Sequence, residues 1–134
     1  MRKFTAWLKL FRVTNLPTVP GDALAGAALA MFFVSDCAPV KTAIAASVSL
    51  LLLYMFGLAD NDIAGAKSDG DRPIPSGEIS ICMARVASIV CLLGALALAA
   101  AHSVPFAWYL NFTLLTVLIL IYNRTKKPLL MGLC

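Results

Sequence analysis

Two long apolar stretches carry no charge. Residues 42–59 form an uncharged run of 18, and residues 86–123 an uncharged run of 38 interrupted by His102-Ser103-Val104-Pro105. The longer run has room for two spans joined by a tight turn, once Ile79–Arg85 is added to its start. Residues 17–34 are apolar apart from Asp22. A bilayer-spanning helix needs about 20 mostly apolar residues. The pattern therefore predicts an all-α, polytopic transmembrane bundle with about four spans, near 17–34, 42–59, 79–101 and 105–122. Ahead of them, Trp7, Leu8, Leu10 and Phe11 interleave with Lys9 and Arg12. That mixture lacks the clean apolar core of a signal peptide and predicts a short amphipathic helix over residues 2–13, lying on the membrane surface.

Composition agrees. Of 134 residues, 60% are hydrophobic and 13% charged, against roughly 45–50% and 25% in soluble domains. Charge also sets an orientation. With the N-terminus, the Asn61–Glu78 loop and the C-terminus on one side, that side holds ten of the 11 Lys and Arg residues, and Lys41 stands alone opposite. The positive-inside bias makes both termini and the loop cytoplasmic. The net charge of +4 follows from this asymmetry. No basic helix interleaved with aromatics is present, so no nucleic-acid partner is expected. The chain reads as one membrane domain. Small residues crowd the first and third spans, where they let helices approach closely. Cys82 and Cys91 fall in an apolar span and read as buried, inert thiols. Trp108 and Tyr109, near the outer end of the last span, read as interfacial anchors.

The stretch Asp60–Gly77 breaks the avoidance of charge. Asp60, Asp62, Asp69 and Asp71 place four carboxylates within twelve residues, and Arg72-Pro73-Ile74-Pro75-Ser76-Gly77 follows. Two prolines fix φ and a glycine closes the segment, which suits an ordered loop that can aim its guanidinium at an anion. The plain reading is a solvated loop kept out of the membrane by its acids. The chemical reading is an Mg²⁺ site facing a polyphosphate, since Mg²⁺ takes hard oxygen ligands and commonly binds through one or two carboxylates plus substrate phosphates. If the second span continues past Asp60, Asn61, Gly65 and Asp69 share one helical stripe. Arg85, one turn into the third span, reads as a snorkelling cation.

Asn61-Asp62, Asp69 and Arg72-Pro73-Ile74-Pro75-Ser76-Gly77 resemble the first aspartate-rich region of the UbiA-type intramembrane prenyltransferases, whose pattern is NDxxDxxxD followed by a segment ending in RPIPSG. Gly65 stands where the middle aspartate belongs. Asp69 also lies closer to Arg72 than in relatives, by about one helical turn. Tyr122-Asn123-Arg124-Thr125-Lys126 resembles the family's YxxxK pattern, and Phe11-Arg12-Val13-Thr14-Asn15-Leu16-Pro17 resembles the opening of its first helix. Relatives continue into further spans that carry a second aspartate motif, DxxxD, so the chain resembles the family's N-terminal half.

The resemblance implies Mg²⁺-dependent transfer of a prenyl group from an allylic prenyl diphosphate to an aromatic or lipid acceptor. It implies Asn61, Asp62 and Asp69 as metal ligands, Arg12, Asn15, Arg72 and Lys126 as substrate-binding residues, and Tyr122 with Lys126 at the reacting centre. Prenyl diphosphate, a hydrophobic acceptor, membrane lipid and the missing C-terminal half are the implied partners. With one of two acid clusters, ionisation by the 134-residue chain alone is expected to be severely weakened. The alternative is a non-catalytic membrane subunit or remnant that binds lipid or a partner helix. The CDP-alcohol phosphotransferase pattern is not met by Asp69-Gly70-Asp71-Arg72. A transporter would carry its acids at the midplane instead of the edge.

Overall fold

The computed structural model describes residues 2–33, 40–66, 72–102 and 104–131, with side chains for 3–29 in the first of these and up to Thr125 in the last. These residues form five α-helices and one short 3₁₀ turn, and no strand. The helices are α1 (Arg2–Leu10), α2 (Thr18–Phe33), α3 (Val40–Ala64), α4 (Ile81–Ala101) and α5 (Phe106–Met131), with the 3₁₀ turn at Val13–Asn15.

Three of them are long and apolar enough to cross a membrane: Val40–Ala64, Ile81–Ala101 and Phe106–Thr125. The stretch expected as the first span contains α2, which has 16 described residues. That length reaches about 24 Å, short of a bilayer core of about 30 Å. Thr18 begins the helix, its Oγ1 donates to the Asn15 carbonyl at 2.7 Å, and Pro20 sits in the first turn, where a missing N–H costs nothing.

α3 is the hub, packing against α4 most extensively and also against α2, α5 and α1. Lipid tails give helices no hydrophobic reason to associate, so close backbone approach must supply the energy. α4 turns Ala84, Ser88, Cys91, Ala95 and Ala99 inward, and all five are buried. Their spacing makes a stripe of small side chains along one helix face. Leu53 and Phe56 of α3 fill the space beside it and meet Phe112 of α5. Ser80 starts α4 as an N-cap, its Oγ accepting from the Met83 N–H at 3.2 Å.

α1 ends at Leu10, before the expected boundary. Its apolar face is partly covered by protein. Ala6 and Leu10 are buried against Ile74, Ile79 and Ala84, so α1 clamps the loop that joins α3 to α4. Phe4 and Leu8 remain exposed on its outer side. Cys91 is buried as expected, but Cys82 is exposed in the first turn of α4, because the inward stripe passes through Ala84. Trp108 packs inward, stacked on Phe112 with ring centroids 4.7 Å apart.

Candidate functional site

The polar residues gather where α3 and α5 end and α4 begins. α3 runs past Asp60 to Ala64, and Gly65 N–H still reaches the Asn61 carbonyl at 2.9 Å. Successive α3 residues are rotated by about 100°, so Asp60, Asn61 and Asp62 face three directions.

Asn61 faces a cleft of about 420 Å³ between α3 and α5. Tyr54, Gly57, Leu58 and Asn61 form its α3 wall, Leu118, Ile119, Tyr122 and Asn123 its α5 wall, and Arg12 its rim. The cleft is apolar along Leu58, Leu118 and Ile119 and polar at the end that holds Asn61 and Arg12. Gly57 makes this geometry possible. A Cβ there would stand 3.3 Å from Ile119 Cγ2, so a larger residue would push α5 away. Arg12 reaches the rim through a left-handed backbone, φ 45° and ψ 56°, a conformation that costs an L-residue about 1–2 kcal/mol.

Asp62 turns away from this cleft. It is buried, and its Oδ1 accepts from Arg72 Nη1 at 3.1 Å. The guanidinium is delivered by the loop after it. Ser76 N–H donates to the Arg72 carbonyl, Gly77 N–H to that of Ile74 and Ile79 N–H to that of Pro73, each at 3.0 Å. Gly77 takes φ 77°, which favours glycine. Pro73 and Ile74 are buried, Ile74 against α1. Arg72 thus lies over the last turn of α3, where the negative end of the helix dipole favours a cation. A Cβ on Gly65 would stand 3.5 Å from Arg72 Nη1, so a carboxylate at that position would meet the same guanidinium.

Asp60 faces α5 on the side away from the cleft. Its Oδ2 accepts from Asn123 Nδ2 at 2.9 Å, and the same nitrogen donates to the Gly57 carbonyl at 3.3 Å.

Of the residues nominated by sequence, Arg12, Asn61 and Tyr122 converge on one cleft. Asp62 and Arg72 are one another's partners beside it. Asn15 is exposed and lines a neighbouring depression with Arg12. Tyr122 and Lys126 share the α5 helix one turn apart, with the Lys126 side chain outside the described ones. Asp69 and Asp71 lie outside the described residues. Among the described residues, no three His, Cys, Asp or Glu side chains gather around one point. The oxygen donors present, Asn61 and the Asp62 carboxylate, are of the hard type that Mg²⁺ takes, and a site completed by phosphate oxygens needs only one or two carboxylates. Sequence reasoning missed Tyr54 and Asn123. Tyr54 lies seven residues before Asn61, two helical turns along the same stripe, a signal that periodicity could have supplied.

Comparison with protein-family models finds no match, and no solved structure matches the chain. Among curated proteins, the chain is similar to the digeranylgeranylglyceryl phosphate synthase of Methanococcus maripaludis, with 38% identity over 87 residues. The match covers 62% of this chain and 31% of the relative's own length. The chain is thus similar over most of its length to part of a digeranylgeranylglyceryl phosphate synthase, and it spans about a third of that relative.

Proposed function

We propose that the chain binds an allylic prenyl diphosphate at the polar end of the α3–α5 cleft and takes part in transferring its prenyl group to a hydrophobic acceptor. One observation carries this reading. Arg12, Asn61 and Tyr122, from three separate segments, line one cleft together with the apolar side chains of Leu58, Leu118 and Ile119. A prenyl diphosphate has the same division, a polyanionic head on an apolar tail. The relative's name, which describes a glyceryl phosphate product carrying geranylgeranyl chains, supports a prenyl substrate and suggests a phosphate-bearing lipid acceptor.

In this reading the tail lies along Leu58, Leu118 and Ile119, which keep water from the reacting carbon. Arg12 and Arg72 stabilise charge as it develops on the leaving diphosphate, a large term in such reactions. Tyr122 offers an aromatic face to the allylic cation, and the resemblance assigns Lys126, one turn further along α5, to the phosphates. Asn61 and Asp62, with Asp69, would hold Mg²⁺ once Asp62, which turns away from the cleft, leaves Arg72 and swings toward Asn61; the ion would supply charge neutralisation at the phosphate oxygens. Arg72 now neutralises Asp62, so metal binding requires their 3.1 Å pair to loosen and frees the guanidinium for phosphate. Both termini and the polar end face the cytoplasm.

The test is binding of a non-cleavable geranylgeranyl thiodiphosphate to the full chain in nanodiscs, with and without Mg²⁺. Saturable, Mg²⁺-dependent binding is expected, weakened about tenfold or more by Asp62→Ala and by Arg12→Ala, which corresponds to about 1.4 kcal/mol or more. Equal affinity for geranylgeraniol, which lacks the diphosphate, would instead identify a lipid-binding subunit.

A further inference from the structure

A second cavity, of about 510 Å³ beside α1, is a shallow extension of the Arg12 rim. A third, of about 550 Å³, is separate from the prenyl cleft and lies on the other side of the Asn123–Asp60 bond, between α4 and α5. Both helices pack on α3, and among the described residues they do not pack extensively on each other. Its polar lining comprises Asp60, Arg85, Ser88, Asn123 and Arg124.

Arg85 and Arg124 are exposed, and no hydrogen bond or ion pair engages either among the described residues. α4 begins and α5 ends at this level, so the two guanidiniums stand at the same end of antiparallel helices. Asp60 shares the crevice, but its carboxylate already accepts from Asn123 at 2.9 Å. Among the described residues, two cations against one anion leave a single net positive charge, which a phosphodiester monoanion matches. Away from this end the surface turns apolar. Ile89, Leu93 and Leu96 continue from Arg85 along exposed positions of α4 at helical spacing, and exposed Val117 lies two turns before Arg124 on α5. Basic pockets between membrane helices near the headgroup level suit anionic lipid headgroups.

We infer that the α4–α5 crevice holds the phosphodiester headgroup of an anionic membrane phospholipid between Arg85 and Arg124, with its acyl chains along the apolar stripes beneath. Snorkelling alone would account for each arginine singly. It does not account for two unpaired arginines lining one cavity with apolar surface continuing from both. The inference rests on the helices crossing a bilayer and is independent of diphosphate binding in the other cleft.

The test uses the full chain purified in mild detergent and equilibrated with equal amounts of phosphatidylglycerol and phosphatidylcholine, with retained lipid read by native mass spectrometry. Phosphatidylglycerol should be retained preferentially. Retention should fall about fivefold in Arg85→Gln or Arg124→Gln and about thirtyfold in the double variant. Lys41→Gln, which removes a cation from the other end of α3, should leave it unchanged. Thermal unfolding of the double variant verifies that it is folded. Equal retention of both lipids by the unsubstituted chain, unaltered retention by the double variant, or displacement of the lipid by inorganic phosphate alone would each overturn the inference.

Discussion

Asn123 links α5 to α3 through one nitrogen, which donates to the Gly57 carbonyl and the Asp60 carboxylate. It is buried, so water cannot easily replace it. Substituting Asn123→Leu keeps the branched shape and the number of side-chain heavy atoms and removes the donor, leaving Asp60 without this partner. A loss of about 1–3 kcal/mol is expected, read as a lower unfolding midpoint in detergent. If Asn123→Leu unfolds like the unsubstituted chain, the bond contributes nothing to stability. The motif around Tyr122 was legible in the sequence, yet Asn123 was not singled out. A lone amide in an apolar helix gives no sign of which way it faces until the neighbouring helix is in place.

Packing between elements depends on two kinds of small residue. The stripe from Ala84 to Ala99 brings α4 onto α3, and Gly57 brings α5 to within 3.3 Å of where its Cβ would stand. Placing leucine at Gly57 should separate α3 from α5, with overpacking costing about 1–3 kcal/mol. It should also fill the cleft, so thiodiphosphate binding should fall even at temperatures where the variant remains folded. Retained affinity in folded Gly57→Leu would mean that the ligand does not use the α3–α5 cleft. Helix existence was plain from the apolar runs. The docking of α1 on Ile74 and Ile79 was not. An amphipathic pattern specifies an apolar face and says nothing of whether lipid or protein covers it.

At the scale of the whole molecule, the number of crossings decides where the termini lie. Three helices meet the length and hydropathy needed, and α2 has 16 described residues. If α2 crosses too, both termini share a side; if only α3, α4 and α5 cross, they lie on opposite sides. The distribution of Lys and Arg favours a shared cytoplasmic side. Reporter fusions at each terminus should therefore both be active in the cytoplasm, and reporters on opposite sides would remove α2 from the spans. The broad apolar surface left on α4 and α5 is consistent with lipid at their outer faces.

The sequence by itself determined the helical class, three helices long and apolar enough to span a membrane, and the level at which polar chemistry collects. Those properties follow from local costs: each backbone group in lipid needs an internal partner, and each charge avoids the bilayer core. Only the tertiary structure decided which polar groups pair. Asp60, Asn61 and Asp62 are neighbours in sequence, yet one binds Asn123, one lines the cleft and one holds Arg72. The rotation of α3 about its own axis separates them, and that rotation is set by the small-residue face of α4 and the close approach of α5, which no single segment of sequence contains.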